Sequence, residues 1–142
     1  PVISYGSTAA TLSDSALYPS FHRVVPPDTV LASITAQLCF KLNFTRVGIL
    51  FINDPFGSGY AIDFGASAER EGIEIVTSQP FIGGDPASMR DAVDAIAAVD
   101  VRVIVVVCLV PDMRGLLDAA EVHGMLRTPG YSWFLNGFDG PE

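Results

Sequence analysis

The chain has 142 residues, room for one globular domain with a sizeable core and little more. Hydrophobic residues make up 49 % and charged residues only 17 %, which argues for a well-buried interior and against disorder. With 16 acidic residues against 8 basic ones and a formal charge of −8, the surface repels polyphosphate, which argues against a nucleic-acid partner.

Pro1 is followed at once by strand-like Val2 to Tyr5, with no initiator Met. That start reads as a chain cut from something longer. A loop of small residues follows (GSTAATLSD, Gly6 to Asp14), then a proline-marked crossing from Arg23 to Pro27. This opening strand has no βαβ partner, so residues 1–27 are expected in a different layer or lobe from the rest.

From residue 28 onward helix and strand alternate. Asp28 follows Pro26 and Pro27 as an N-cap, and Leu31, Ile34, Leu38 and Leu42 then recur at helical spacing. Cys39 is expected to flank that apolar face. Arg46 to Ile52 reads as a buried strand ended by Asn53-Asp54-Pro55, and a helix is predicted from about Gly57 to Glu71, stopped by Gly72. Ile73 to Thr77 is the next strand. After Gly83-Gly84, Asp85-Pro86 supplies an N-cap and a first-turn proline. Met89, Ala92, Val93, Ile96 and Ala97 then form an amphipathic stripe. Val101 to Cys108 is apolar apart from Arg102, the pattern of a central strand covered on both faces. Pro111-Asp112 opens a last helix with Met113, Leu116, Leu117 and Ala120 facing inward, and Tyr131 to Leu135 is the last strand.

Strands separated by amphipathic helices are βαβ units and predict a three-layer α/β sandwich around a parallel sheet, with flavodoxin-like strand order 2-1-3-4. The longest apolar run, Val103 to Val110, is far too short to span a bilayer.

Enzyme signatures fail on inspection. Gly57-Ser58-Gly59 lacks the outer spacing of GxSxG, and the stretch GSGYAI lacks the third glycine of GxGxxG and the lysine of a P-loop. His22 and His123 have no Cys, Asp or Glu at ligand spacing, so neither a metal nor a cofactor is expected. Cys39 and Cys108 match no CxxC pattern; Cys108 reads as an inert core thiol, and the two are not expected to be bonded to each other. Asn43-Phe44-Thr45 is a glycosylation sequon, a triplet that also arises by chance.

What remains clusters at strand ends, where open parallel sheets bind ligands. The loop with Gly6, Ser7 and Thr8 offers hydroxyls and successive amides, a nest for a carboxylate, or else a plain Ser/Thr turn. Phe56 stands between Pro55 and Gly57 at a helix start, as a ligand contact or as a hydrophobic cap. Asp139, between Phe138 and Gly140, can receive a cation or simply make a turn.

These segments carry a family resemblance. PVISYGSTAATLSDSALYPSFHRVVPPDT, NFTRVGILFINDPFGSG and the closing LNGFDG resemble the receptor family ligand-binding region. That is the type I periplasmic-binding-protein fold of class C G-protein-coupled receptors, ionotropic glutamate receptors, natriuretic-peptide receptors and bacterial amino-acid-binding proteins. The first block is the most specific, closest to metabotropic glutamate and GABA-B-type receptors.

The resemblance implies a segment of the first lobe and a crossing in residues 1–27, and a second, ligand-binding lobe in residues 28–142. It implies that Ser7 and Thr8 hold the carboxylate and amino group of an amino-acid-like ligand, that Phe56 covers it, and that Asp139 accepts its ammonium. Family members usually carry Tyr at the Phe56 position, and a cysteine after the second strand; here that stretch reads Gly72-Ile73-Glu74-Ile75. The implied function is an extracellular, clamshell-closing module of a membrane receptor, completed by its first lobe and compatible with a homodimer through the parent. A periplasmic solute-binding protein is the rival within binding proteins. A flavodoxin-like enzyme or response regulator is the rival of another class, and Cys108-Leu109 stands where a regulator needs Asp.

Overall fold

The computed structural model describes residues 1–138. Its elements run β1 (Val2–Ser4), a 3-10 turn (Ala10–Ser13), β2 (Phe21–Arg23), α1 (Asp28–Lys41), β3 (Arg46–Ile52), α2 (Pro55–Arg70), β4 (Glu74–Phe81), α3 (Pro86–Ala97), β5 (Val103–Leu109), α4 (Val110–Val122) and β6 (Ser132–Phe138). The main sheet has the order β4-β3-β5-β6, every pair parallel. This is the predicted flavodoxin-like α/β architecture.

The two-residue period of the strands makes the three layers. On β5, Val103, Val105 and Val107 join the α1–α2 side of the core, while Ile104, Val106 and Cys108 join the α3–α4 side. On β3, Val47 and Ile49 face one way and Leu50 and Ile52 the other. Both strands lie inside the sheet, which is why both read as unbroken apolar runs. Sequence periodicity stopped β4 at Thr77, yet it continues through Pro80 to Phe81. Proline is tolerated there because β4 is an edge strand.

Helix α1 corrects the sequence reading. Its buried face is Ala32, Thr35, Ala36 and Cys39, whereas Ile34, Leu38 and Leu42 are exposed. Small side chains let α1 approach α2 closely, and the fully buried rings of Tyr60 and Phe64 fill the space beneath. Tyr60 Oη lies 2.9 Å from Thr35 Oγ1, whose own proton goes to the Leu31 carbonyl, so the phenol donates. Cys39 is therefore core rather than flank. Cys39 and Cys108 are both buried free thiols, pushed up by desolvation to about 11 and about 12 and hence poor nucleophiles.

The first 27 residues also gain structure that the sequence hid. Phe21–Arg23, of which the sequence reading placed only Arg23 in the crossing, is a strand that pairs in parallel with β1, Val2 opposite Phe21 and Ser4 opposite Arg23. The two strands form a separate small sheet. Asp28 is not an N-cap: Pro27 holds that position and no side chain caps the helix.

Candidate functional site

A cavity of about 470 Å³ opens at the carboxyl ends of β3 and β5. Its walls are Ser7 and Thr8 from the loop after β1, Asp54 and Phe56 from the start of α2, and Leu109 at the end of β5. Strand polarity puts it there, since each of these segments follows the end of a parallel strand.

The α2 wall is set by two local features. Asp54 caps the helix, its carboxylate accepting from the Gly57 amide at 2.8 Å. Gly57 itself packs on the end of β3 so closely that a Cβ would stand 2.0 Å from the Ile52 carbonyl oxygen. Glycine at that position allows the first turn of α2 to sit on the strand end, with half-buried Phe56 packed against both halves of the core.

The opposite wall is built by Ser4 and Arg23. Ser4 Oγ accepts from the amides of Gly6 (3.3 Å) and Ser7 (2.9 Å) and donates to Ser7 Oγ at 2.8 Å. Two of the three amides that the sequence offers as an anion nest, those of Gly6 and Ser7, are thus engaged by Ser4. Arg23 on β2 spans the loop from the other side. Its guanidinium donates to the carbonyls of Ala9 (2.9 Å) and Ser7 (3.3 Å) and to Ser13 Oγ.

Behind Thr8 lies Asp28, a residue whose sequence position suggests only a helix cap. Its amide donates to the Thr8 carbonyl at 2.9 Å, and the residue is 3 % exposed. One carboxylate oxygen, Oδ1, is buried with no protein partner. It lines an adjoining cavity of about 280 Å³ together with Asp63 of α2, whose Oδ2 is likewise buried and unpartnered. Desolvation pushes the Asp28 carboxyl above the usual range; the Thr8 side chain and Arg23 oppose the shift, and Asp63 adds to it. Desolvation raises Asp63 as well. An unpaired, dehydrated carboxylate at a cavity wall is costly unless a cation or a proton meets it. The available signal for Asp28 was its place as the last residue of the RVVPPD run.

Of the four residues singled out from the sequence, Ser7, Thr8 and Phe56 line one cavity. Asp139 lies outside the described residues. The strand leading to it runs beside the site in register, with Phe138 opposite Leu109. Among the described residues no group of His, Cys, Asp and Glu could hold a metal ion, and no helix is long and apolar enough to cross a membrane.

A family model described as the receptor family ligand binding region matches residues 1–139. The metabotropic glutamate receptor-like protein E of Dictyostelium discoideum is 30 % identical over 142 residues, 95 % of this chain and 17 % of that protein. The gamma-aminobutyric acid type B receptor subunit 1 of Caenorhabditis elegans is 30 % identical over 137 residues, covering 96 % of this chain and 15 % of that protein. G-protein coupled receptor family C group 6 member A of Carassius auratus is 40 % identical over 73 residues, 51 % of this chain and 8 % of that protein. The chain thus spans less than a fifth of the length of each of these relatives. Its parallel flavodoxin-like sheet, the strand-end cavity and a family match running from residue 1 to 139 agree, and the chain belongs to the receptor family ligand-binding region.

Proposed function

We propose that this chain is part of the extracellular ligand-binding module of a membrane receptor and senses an amino-acid-like ligand by closure of two lobes. The observation that carries the reading is the Thr8–Asp28 pair, a hydroxyl and a dehydrated carboxylate held together beside an apolar-walled cavity. A ligand ammonium would neutralise Asp28 and donate to the Thr8 hydroxyl oxygen, and the Ser7 hydroxyl would meet the ligand's carboxylate. Phe56 and Leu109 would cover the apolar part. Asp139, as the resemblance implies, would supply a second carboxylate. Residues 1–27 would belong to the first lobe and residues 28–142 to the second, so that the ligand bridges both and favours the closed form.

The names of the relatives, glutamate-receptor-like and gamma-aminobutyric acid receptors, support an amino-acid-like ligand and favour a receptor over a transporter's binding protein. Calorimetry of the complete ligand-binding region against α-amino acids and γ-aminobutyrate tests the reading. Asp28→Asn removes a charge-assisted contact worth about 1.5–3 kcal/mol, so affinity should fall roughly ten- to a hundredfold. Ser7→Ala should weaken binding by a smaller factor. If both variants kept the parent's affinity, the ligand would have to bind elsewhere.

A further inference from the structure

We propose that Asn43 is an acceptor for an N-linked glycan, on the end of the domain remote from the candidate ligand cavity. Of the asparagines Asn43, Asn53 and Asn136, only Asn43 heads an Asn-x-Ser/Thr triplet. A sequon is modified as the chain emerges, so a usable one must fold into a place where the sugar can stay outside. The geometry here meets that requirement in detail.

Helix α1 ends in a Schellman turn. The Asn43 amide donates to the Phe40 carbonyl at 2.9 Å and the Phe44 amide to the Cys39 carbonyl at 2.9 Å. Asn43 takes the left-handed position of that turn, with φ 60°, which asparagine tolerates better than most residues. The middle residue of the triplet is the anchor. Phe44 is half-buried and packs edge-on against Phe134, with ring centroids 6.2 Å apart and planes at 77°. Asn43 and Thr45 on either side of it are exposed. The turn therefore buries the one residue of the sequon that the transferase does not read and leaves the two it does read in solvent.

The surroundings suit a first N-acetylglucosamine. A shallow concavity of about 220 Å³ beside Asn43 sets polar Thr45, Arg46, Asp100 and Arg102 beside apolar Val101 and Val103, a floor for both the hydroxyls and the apolar face of a sugar. Phe40, hydrogen-bonded through its carbonyl to the same turn, is 57 % exposed, and Leu42 is 51 % exposed. The apolar face of a pyranose ring covers such surface. Asn43 also precedes β3, whereas the ligand cavity lies past its other end. The strand's 7 residues, at about 3.3 Å rise each, separate the two by roughly 20 Å, so the sugar would leave ligand entry open.

The inference rests on the extracellular placement proposed above, and the test separates the two. The ligand-binding region containing this chain is expressed behind an added secretion signal in insect cells and purified from the medium. It is then treated with peptide-N-glycosidase F in heavy-oxygen water. Trypsin, cutting after Lys41 and Arg46, releases Leu42–Arg46 for mass spectrometry. Most of that peptide should carry Asp with heavy oxygen in place of Asn43; Thr45→Ser should preserve the conversion and Thr45→Ala abolish it. Recovery of the unconverted peptide from secreted wild-type protein would overturn the site, because the added signal fixes the compartment. Failure of the extracellular reading would appear separately, as absence of the natural protein from a surface-biotinylated fraction.

Discussion

Thr8 and Asp28 are tied by a 2.9 Å backbone hydrogen bond from the Asp28 amide to the Thr8 carbonyl, and the Thr8 side chain opposes the rise that burial gives the Asp28 pKa. The backbone bond ties the loop after β1 to the first residue of α1. Thr8→Val keeps the shape and removes the hydroxyl that holds down the Asp28 pKa, so the carboxyl should take up a proton more readily. Binding of a ligand ammonium to the complete region should weaken in the variant, and the loss should deepen as pH falls through the raised pKa of Asp28. Calorimetry at several pH values checks this; parallel affinity curves for wild type and variant would contradict it.

The buried acids also set a sign for stability. Desolvation lifts Asp28 and Asp63 above their ordinary value of 3.8, so the folded chain binds more protons than the unfolded one between that value and the raised pKa. Their stabilising contribution is complete below 3.8 and is lost as pH rises through the folded pKa. Asp63→Asn should therefore gain stability over wild type with rising pH across this window and hold the gain at neutrality. Urea midpoints measured through the window decide it, and a wild-type-minus-variant difference independent of pH would refute the assignment.

Gly57 is the contact on which the α2 wall depends. Alanine there would drive its Cβ into the Ile52 carbonyl, a backbone atom that cannot rotate away, and overpacking of this kind costs about 1–3 kcal/mol. Gly59→Ala, with open space at its Cβ position, is the control and should be close to neutral. Chemical denaturation of the pair should separate them clearly.

The faces of α1 can be tested in the same way. Ala36→Leu adds bulk where the structure leaves no exposure, and about 1–3 kcal/mol should be lost. Leu38→Gln, at a position 43 % exposed, should stay within roughly 0.5 kcal/mol of wild type. The opposite ranking would restore the face that the periodicity of leucine and isoleucine suggested.

Strand polarity and residue period were enough to read the sheet from the sequence. β3 and β5 are buried on both sides, so their apolar runs are unbroken, and the intervening stripe of α3 matched its buried face at Met89, Ala92, Val93 and Ile96. The same polarity placed the loops after β1 and β3 together, and Ser7, Thr8 and Phe56 line a common cavity as a result. Tertiary structure alone decided the rest. Helix α1 carries apolar residues on several faces, so its periodicity could not say which one packs; the room taken by Tyr60 and Phe64 chose the alanine face. β2 is too short to have a period, and it exists because Arg23 and its neighbours pair with β1. Asp28 looked like a helix cap because a carboxylate at a helix start usually is one. Only the fold, by setting Thr8 and Asp63 near it and shutting out water, left one of its carboxylate oxygens buried and unpartnered at the edge of a cavity.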